Sequence, residues 1–533
     1  MSDRILLGDE AVGQGAADAG ITASYAYPGT PSTEITEFLQ RSVNGGAGPR
    51  AEWCANEKTA YETALGVSLA GRRALVSMKH VGLNVAADPF INSALVPIHG
   101  GLVLAVADDP GMHSSQNEQD SRFYADFAGV PCLEPSSQQE AYDMTREAFD
   151  LSERLHLPVV LRLVTRLAHS RSVVRTLPER PQNALDKSGE TDGWILLPAH
   201  ARRRWLDLLG RQDHLRAYSD ASPYNRFDQG AEEADVAVIT TGIAGNYFAE
   251  VAPELPARPA HLHIGVYPPP LDKLHRVAGL GRPIVVLEEG YPFIERLLRG
   301  LVPTRLELGG KLSGELPRAG ELNPDLVRAA LGIECPPAPE SVPGALPARP
   351  PQLCRGCPHA DSYTAVKLAL SSFDQALVTA DIGCYTLGAL PPYSAIESCV
   401  CMGASIGMAR GAADAGFYPA IGVIGDSTFL HSGITSLLDA AAADTDMTVV
   451  ILDNGTVGMT GAQPTLVPAQ TLESIVLAVG VDPDHLRVVE AHPRKTDEIA
   501  EVLRREIAHH GLSVVIARRE CIESAKKRKR AAR

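Results

Sequence analysis

The 533-residue sequence lacks the features that would place it in or across a membrane. It contains no stretch of about 18 consecutive apolar residues, the length that predicts a transmembrane helix. The first residues, MSDRILLGDEAV, include Asp3, Asp9 and Glu10 where a secretion signal has its basic and apolar regions. We therefore expect a protein of the cytoplasm that does not bind membranes.

The sequence also lacks an excess of basic residues. Its 49 Lys and Arg against 64 Asp and Glu give a net charge of −15, which argues against nucleic acid as the main ligand. The C-terminal segment is the exception, because six of its last eight residues are Lys or Arg. A frayed, solubilising end is the simpler expectation for this segment, and contact with nucleic acid or an acidic partner is the alternative.

The composition predicts a folded protein of several domains. Hydrophobic residues make up 45% and charged residues 21% of the chain, close to the values of globular proteins, and the length suggests about three or four domains. Short apolar strands alternate with Ala-rich helical stretches, a pattern that predicts α/β domains with doubly wound, mainly parallel sheets. The predicted organisation is a first domain over 1–180, a linker with some helix over 181–235, a second domain over 236–334, a Pro-rich linker over 335–352, a third domain over 353–521 and a basic tail over 522–533.

The segment YPAIGVIGDSTFLHSGITSLLDAAAADTDMTVVILDNGT predicts a strand, a helix and a second strand. Asp426 follows the first strand and Asn454 follows the second. Because parallel strands end at the same edge of a sheet, we expect both side chains at that edge, where their oxygens suit Mg²⁺. Gly425 and Ser427 lie at the amino end of the helix, where free N–H groups favour a diphosphate. The sequence therefore predicts a metal–diphosphate site, although GDS alone would indicate an ordinary strand-to-helix turn.

This pattern resembles the thiamine diphosphate signature, which begins with GDG or GDS and closes with Asn. The resemblance implies that Asp426, Asn454 and the backbone carbonyl of Thr456 hold Mg²⁺. A thiamine enzyme also needs a carboxylate beside the aminopyrimidine ring of the cofactor, and the N-terminal domain offers Glu52 and Glu57. Glu57 is preferred, because it opens a predicted amphipathic helix directly after a strand; its alternative role is a favourable interaction with the helix dipole.

Longer motifs extend the resemblance to most of the chain. They are YPGTPSTEI, ANEKTAYETALG, SMKHVGLNVAADP, VADDPGMHSSQNEQDSR, CRGCPH, ADIGCYTLGALPP, CMGASIGMARG, GDSTFLHSGI and ILDNGTVGMTGAQP. From Arg4 to about Cys521 the sequence resembles the alpha subunit of indolepyruvate ferredoxin oxidoreductase. The resemblance implies three transketolase-like domains: a pyrimidine-binding domain, a transketolase C-terminal-like domain and a diphosphate-binding domain. It also assigns Glu57 to the pyrimidine nitrogen and Thr30 to the neighbourhood of the substrate carboxylate.

Nine cysteines in a cytoplasmic chain indicate thiols or metal ligands rather than disulfides. Cys354 and Cys357 form a CxxC pair, Cys384 lies in a later Gly-Cys turn, and Cys521 follows the last apolar strand. This spacing is compatible with zinc, with a cubane cluster, or with small buried residues. The wider pyruvate and 2-oxoglutarate ferredoxin oxidoreductase superfamily has cysteines at similar places, which implies that these four hold a 4Fe–4S cluster beside the thiamine. Ordinary thiols are expected at the remaining five positions, Cys54, Cys132, Cys335, Cys399 and Cys401.

Two departures from that family bear on function. The family's alpha subunit usually continues into a ferredoxin-like module with two CxxCxxC runs, whereas this sequence ends in SAKKRKRAAR. The family's TGHQPHP loop has histidines where this sequence has Ala462 and Thr465. His80 and His113, which we expect in Gly-rich loops after strands, could reach the reacting centre or could be ordinary hydrogen-bonded histidines.

The resemblance implies oxidative decarboxylation of an aryl 2-oxoacid such as indolepyruvate to its acyl-CoA. Thiamine diphosphate, Mg²⁺ and one 4Fe–4S cluster would be the cofactors, and a ferredoxin-type acceptor would take the electrons. A smaller beta subunit would complete the enzyme and contribute to the binding of coenzyme A. The missing module and the altered loop keep open a non-oxidative thiamine-dependent decarboxylase or carboligase. A non-catalytic scaffold that docks a partner through its basic tail is a third hypothesis.

Overall fold

Three mainly parallel sheets, connected by helices, organise the chain. The computed structural model describes residues 2–42, 48–186, 194–301, 307–335, 352–399 and 401–531. The chain divides into two units, Met1–Ser341 and Val342–Arg533. Two of the three sheets belong to the first unit and one belongs to the second. The predicted Pro-rich linker lies outside the described residues over 336–351.

The first unit contains two larger sheets and a two-stranded ribbon, built from fourteen described strands. In chain order the strands are β1 (Ser2–Leu7), β2 (Ala23–Ala26), β3 (Arg50–Trp53), β4 (Ala74–Lys79), β5 (Leu102–Asp108), β6 (Cys132–Leu133), β7 (Val159–Val164), β8 (Arg171–Thr176), β9 (Arg226–Asp228), β10 (Ala237–Thr241), β11 (Ala260–Ile264), β12 (Val266–Tyr267), β13 (Ile284–Leu287) and β14 (Leu308–Gly309). The α-helices are α1 (Gly8–Asp18), α2 (Thr33–Ser42), α3 (Glu57–Leu69), α4 (His80–Ser93), α5 (Arg122–Ala128), α6 (Gln138–Leu155), α7 (Thr165–His169), α8 (Pro198–Ala221), α9 (Ala244–Val251), α10 (Leu271–Ala278), α11 (Phe293–Leu301) and α12 (Pro324–Ala330).

The first sheet has seven strands in the order β12-β6-β7-β5-β4-β2-β3. All of its pairs are parallel except β12 with β6. Strands β4, β5 and β7 are buried at every residue, as expected for parallel strands that are covered on both faces. Parallel pairing brings the carboxyl ends of these strands to one edge, where β4 ends at Lys79, β5 at Asp108 and β7 at Val164.

The second sheet has five strands in the order β14-β13-β10-β11-β9. The segment HLHIGVYPPP is divided between two sheets. Strand β11 pairs with β10, whereas β12 pairs with β6 of the seven-stranded sheet. The side-chain oxygen of Asn225 accepts hydrogen bonds from the backbone N–H groups of Gly265 (2.8 Å) and Val266 (2.9 Å). This long-range contact fixes the crossing, and no local pattern in the sequence reveals it.

Two arginines without solvent exposure neutralise buried carboxylates in the first unit. Arg162, on β7, donates to Asp108 at 2.7 Å, and Arg122, at the start of α5, donates to Asp120 at 2.9 Å. Although burial alone would raise it, Arg122 and Arg162 lower the pKa of Asp120 to about 2. Because a buried charge without a partner is costly, removing either the arginines or the aspartates would destabilise the folded protein.

Replacing Arg162 by Met should lower the free energy of unfolding by about 3 to 5 kcal/mol, because Asp108 would stay buried without its counter-charge. Urea-induced unfolding of the full chain, followed by circular dichroism, measures the change. Arg166→Met is the matched control, since Arg166 pairs with Glu321 at 2.9 Å while 46% of its side chain is exposed, and such pairs contribute about 0 to 1 kcal/mol. Equal effects of the two substitutions would contradict this account.

The second unit contains a six-stranded sheet and a short ribbon. Its strands are β15 (Leu377–Ala380), β16 (Ser398–Cys399), β17 (Ala420–Gly425), β18 (Met447–Asp453), β19 (Thr456–Val457), β20 (Gln463–Pro464), β21 (Leu486–Glu490) and β22 (Leu512–Arg518). Its α-helices are α13 (Pro358–Leu370), α14 (Ala404–Asp414), α15 (Asp426–Thr428), α16 (Ile434–Ala442), α17 (Ala469–Ala478), α18 (Thr496–Ile507) and α19 (Ile522–Ala531).

The six-stranded sheet has the order β16-β15-β17-β18-β22-β21, and every pair in it is parallel. The predicted strands AIGVIG and TVVILD are the adjacent strands β17 and β18. The helix between them begins at Asp426 and continues through a π-helical turn at Phe429–Gly433 into α16. Such turns are frequent at functional sites.

The basic C-terminal segment is helical from Ile522 to Ala531, so the expectation of a frayed end is wrong for its described part. Nearby acidic side chains offset its charge: Lys526 pairs with Glu523 (2.7 Å) and Arg528 pairs with Glu520 (2.9 Å). Lys527 also donates to the carbonyl of Gly461 at 3.2 Å. These contacts tie the helix to its own unit.

The described residues also bear on two features of the sequence, its lack of long apolar runs and its cysteines. No helix among the described residues combines the length and the apolar character that crossing a bilayer requires. The nine cysteines all lie in the described part of the chain, and each is a free thiol.

Candidate functional site

Asp426 and Asn454 share the carboxyl edge of the six-stranded sheet, where β17 and β18 end side by side. Both side chains are buried. The carboxylate of Asp426 accepts hydrogen bonds from the backbone N–H groups of Ser427 (2.9 Å) and Gly455 (2.8 Å). One side chain therefore joins the turn after β17 to the turn after β18.

In the described part of the chain, no Lys, Arg or His forms an ion pair with Asp426. Burial first and the neighbouring Asp453 second raise the pKa of Asp426 to about 7. Asp453 has its own partner, because Arg518 donates to it at 2.6 Å and also to Glu473 at 2.7 Å. An ionised Asp426 therefore needs a further cation, and its oxygen donor suits Mg²⁺.

His359 orients Asn454, although its spacing in the sequence does not reveal this. The side-chain N–H of Asn454 donates to Nε2 of the buried His359 at 3.0 Å. Burial first and nearby Arg519 second lower the pKa of His359 to about 4, which keeps the ring neutral and able to accept. With its nitrogen held in this way, Asn454 turns its oxygen toward the backbone N–H of Thr456, 3.0 Å away. The signal available in the sequence is the position of His359 directly after the CxxC pair.

The remaining predicted diphosphate and metal residues lie in the same two turns. Gly425 ends β17, and a Cβ on it would lie 2.6 Å from the ring of Tyr385, so this position requires glycine. Thr456 begins β19, and its hydroxyl donates to the carbonyl of Gln463 at 2.9 Å. That contact joins β19 to β20 and closes the turn that carries the backbone carbonyl of Thr456.

The four cysteines predicted as cluster ligands lie near one another and beside this edge. Burial first, and then the thiols of Cys357, Cys521 and Cys354, raise the pKa of Cys384 to about 12. Cys354 and Cys357 share one turn, in which the backbone N–H of Cys357 donates to the carbonyl of Cys354 at 3.0 Å. The backbone N–H of Cys521 donates to the carbonyl of Asn454 at 3.1 Å. The cysteine group thus adjoins the turn predicted to hold Mg²⁺.

In the first unit, Glu57 is the better placed of the two candidate carboxylates. Glu57 begins α3 and is 4% exposed, and the preceding Asn56 caps the helix by accepting from the N–H of Thr59 at 2.8 Å. Glu52 lies within β3 and pairs with Arg50 at 2.7 Å, with 45% of its side chain exposed. Burial and position both favour Glu57 as the group that exchanges a proton with a cofactor ring.

Lys79 is a candidate that the sequence patterns do not single out. It ends β4, and its ammonium donates to the carbonyl of Ser114 at 3.0 Å, whose hydroxyl donates to the carbonyl of Thr30 at 3.0 Å. Burial lowers the pKa of Lys79 to about 8, against the opposing effects of Asp109 and Glu57. Lys79 is therefore hydrogen-bonded to the loop that contacts Thr30, and its charge is close enough to interact with that of Glu57. A lysine at the end of a fully buried strand is the signal that could reveal it.

The two histidines considered from the sequence differ in their surroundings. His80 begins α4 directly after β4, so the expectation of a loop is wrong for it. The ring of His80 is buried and lies 3.2 Å from the carbonyl of Asn117 through Nε2. His113 lies on the loop after β5, pairs with Glu321 at 3.3 Å and has 54% of its side chain exposed.

Two family models match the chain. Residues 14–193 match "Pyruvate flavodoxin/ferredoxin oxidoreductase, thiamine diP-bdg", and residues 381–517 match "Thiamine pyrophosphate enzyme, C-terminal TPP binding domain". The first range includes Thr30, Glu57 and Lys79, and the second includes Asp426 and Asn454. Thiamine diphosphate is therefore the cofactor of this chain.

Curated relatives cover nearly the whole chain. Indolepyruvate oxidoreductase subunit IorA of Archaeoglobus fulgidus is 40% identical over 543 residues, which are 97% of this chain and 86% of the relative. The chain belongs to the IorA family. The same subunit of Methanothermobacter thermautotrophicus is 38% identical and covers 98% of this chain and 87% of the relative. The IorA-family chain is thus a thiamine diphosphate-dependent 2-oxoacid:ferredoxin oxidoreductase, as its motifs imply.

A solved structure supports the fold of this IorA-family chain. It is the 2-oxoglutarate:ferredoxin oxidoreductase from Magnetococcus marinus with 2-oxoglutarate, coenzyme A and succinyl-CoA bound. The TM-score is 0.51 at 17% identity, over 62% of this chain and 65% of that one. At this identity the likeness concerns the fold, and it confirms the predicted α/β architecture with mainly parallel sheets.

Gly82→Ala should displace the carboxyl group of Glu57 and lower turnover about tenfold or more, because proton transfer depends on placement. A Cβ on Gly82 would lie 2.5 Å from Oε1 of Glu57 and within 2.8 Å of its Cγ and Cδ. The measurement is the kcat of the assembled enzyme with a 2-oxoacid. Gly66→Ala is the matched control, because Gly66 lies on the same helix as Glu57 and no atom would meet its Cβ within 4 Å. Unchanged kcat in Gly82→Ala would contradict the assignment.

Proposed function

We propose that this chain is the large subunit of a two-subunit enzyme that oxidatively decarboxylates an indolepyruvate-like aryl 2-oxoacid to its acyl-CoA. Electrons pass through one 4Fe–4S cluster to a ferredoxin-type acceptor. The observation that carries the proposal is the hydrogen bond between the backbones of Cys521 and Asn454, 3.1 Å long. It makes a predicted cluster ligand and a predicted metal ligand neighbours, which favours direct electron transfer from the cofactor to the cluster.

The residues of the six-stranded sheet fit a Mg²⁺–diphosphate group. Asp426, Asn454 and the carbonyl of Thr456 would supply oxygen ligands, and the uncompensated charge of Asp426 would be neutralised by the cation. Gly425 and Ser427 would lie beside the diphosphate, at the start of the helix. Bound thiamine diphosphate supplies a nucleophilic carbon and an electron sink for loss of CO₂.

The first unit supplies the proton chemistry in this proposal. Glu57 would hold a proton at the pyrimidine nitrogen of the cofactor, and its burial keeps that position away from water. Lys79 would carry a positive charge near Glu57 and would hold the Thr30 loop through Ser114. Thr30 would contact the carboxylate of the 2-oxoacid.

The four cysteines fit a cluster better than a single zinc ion. Zn–S bonds of about 2.3 Å in a tetrahedron draw the sulfur atoms to about 3.8 Å from one another. Among the described residues, no three of these cysteines have sulfur atoms within 4.8 Å of one another. A cubane, which also takes four thiolates, spaces its ligands further apart. A Cβ on Gly458 would lie 2.9 Å from the sulfur of Cys384, so the glycine leaves room for this ligand beside the Mg²⁺ turn.

The substrate and partner assignments rest on the names of the relatives. Two of them are called indolepyruvate oxidoreductase subunits, which supports an aryl 2-oxoacid and a second subunit. The solved relative in fold contains coenzyme A and succinyl-CoA, which supports acyl-CoA formation.

The test is anaerobic turnover of the chain assembled with its smaller subunit. Reduction of ferredoxin or viologen by indolepyruvate, dependent on coenzyme A, is the expected result, together with iron and acid-labile sulfide in a cubane ratio. Release of aldehyde or acyloin without an electron acceptor would replace the proposal with a non-oxidative decarboxylase or carboligase. Binding of thiamine diphosphate without turnover of indolepyruvate, phenylpyruvate or 2-oxoglutarate would also overturn it.

Glu57→Gln should lower kcat by roughly two or more orders of magnitude while leaving cofactor affinity nearly unchanged. Gln keeps the volume of the side chain but cannot exchange the proton with the pyrimidine nitrogen. Calorimetric binding of thiamine diphosphate and steady-state kinetics separate the two effects. Glu52→Gln is the matched control and should keep kcat. If Glu52→Gln is inactive and Glu57→Gln is active, the proton belongs to Glu52.

Asp426→Ala and Cys521→Ser should separate the cofactor site from the electron path. Asp426→Ala should lose Mg²⁺-dependent binding of thiamine diphosphate, because the cation loses its only proposed carboxylate ligand. Cys521→Ser should keep that binding but lose the iron–sulfur absorption and the reduction of the acceptor.

Cys401→Ser is the control for the second substitution, because Cys401 is an exposed thiol outside the proposed ligand set. A full 4Fe–4S complement and normal electron transfer in Cys521→Ser would remove Cys521 from the cluster, even if the thiamine assignment stands. Unchanged cofactor binding in Asp426→Ala would refute the metal site itself.

A further inference from the structure

Asp9, Glu34 and His169 form a group of metal-ligand type in the first unit, apart from the residues assigned to thiamine diphosphate. One oxygen of each carboxylate and a ring nitrogen of His169 all lie within 4.8 Å of one another. They come from three elements, the first turn of α1, the first turn of α2 and the end of α7. Convergence of three separate elements on one point is what a metal site requires.

The burial of the Asp9 carboxyl points to a missing ligand. Its side chain has no solvent exposure, and its oxygens accept no hydrogen bond from an N–H group or a hydroxyl among the described residues; the neighbouring polar group is the Glu34 carboxyl. No Lys or Arg in the described part of the chain pairs with Asp9 or Glu34; Glu34 has His169 at 3.5 Å. Burial first and the Glu34 carboxyl second hold the pKa of Asp9 well above its ordinary value. Buried carboxylates in proteins are paired with a cation or bind a metal.

We propose that Asp9, Glu34 and His169 bind one divalent transition-metal ion such as Mn²⁺ or Zn²⁺. Two carboxylates and a neutral imidazole carry a charge of about −2, which one such ion cancels. The nitrogen donor favours a transition metal over Mg²⁺ or Ca²⁺. About a third of the side chains of Glu34 and His169 is exposed, which gives the ion access and leaves room for water ligands.

The ion would tie together the elements around the Thr30 loop. Glu34 lies in the first turn of α2, which begins at Thr33, shortly after Thr30. Asp9 lies in α1, which follows the edge strand β1, and His169 precedes β8, the partner of β1. A bound ion would therefore fix the start of α2 against the β1–β8 ribbon. This inference does not depend on the proposed function.

The test is Mn²⁺ binding to the full chain without thiamine diphosphate, followed by electron paramagnetic resonance. The wild-type protein should bind one more Mn²⁺ per chain than either the Asp9→Asn or the His169→Gln protein. Any Mn²⁺ bound near Asp426 should be present in all three proteins and so does not affect the difference. The pulsed spectrum of the wild type should show coupling to an imidazole nitrogen that His169→Gln lacks. Glu10→Gln is the matched control and should bind as the wild type does, because Glu10 turns to the N–H of Leu7 and to Arg41.

Mn²⁺ should also raise the thermal unfolding temperature of the wild type and of Glu10→Gln, but not that of Asp9→Asn. If Asp9→Asn does not fold, His169→Gln decides, since its side chain is partly exposed. Equal Mn²⁺ stoichiometry in all four proteins would overturn the proposal and would leave Asp9 as a protonated acid beside Glu34. Loss of the ion in Glu10→Gln as well would also overturn it.

Discussion

A carboxylate that leaves water needs a positive charge, and this requirement separates the structural acids of the protein from its site. The side chains of Asp108 and Asp120 have no exposure, and Arg162 and Arg122 neutralise them. Asp426 is almost as deeply buried, but it has backbone N–H groups instead of a cation. The ion pairs of Asp108 and Asp120 stabilise the first unit. Asp426 is the acid that, in our proposal, the cation of the cofactor neutralises.

The parallel sheets determine where that acid lies. Strands β17 and β18 end side by side, so one carboxylate and one amide meet at the same edge. The side-chain amide of Asn454 could point either its nitrogen or its oxygen toward the cofactor site. His359 fixes the orientation by accepting a hydrogen bond from the nitrogen, and the backbone N–H of Cys521 donates to the backbone carbonyl of Asn454. Cofactor geometry and the proposed electron path therefore depend on one short turn.

The sequence predicts the parts of this arrangement that are local. A strand, a helix and a strand in succession were enough to place Asp426 and Asn454 at one edge, and the motifs identified the family. Contacts between distant segments are not predictable in this way. His359 reaches Asn454 from a different helix, Lys79 reaches Ser114 on another loop, and Asn225 divides a single apolar segment between two sheets. Each of these depends on the tertiary fold rather than on spacing.

We propose that Asp426 has no cation partner until Mg²⁺ binds there together with thiamine diphosphate. Isothermal calorimetry of thiamine diphosphate with the wild-type chain, with Mg²⁺ and then with a chelator, tests this claim most directly. The account predicts one bound cofactor per chain with Mg²⁺ and at least about a tenfold loss of affinity without it. Equal affinity in the presence and absence of divalent cations would contradict it.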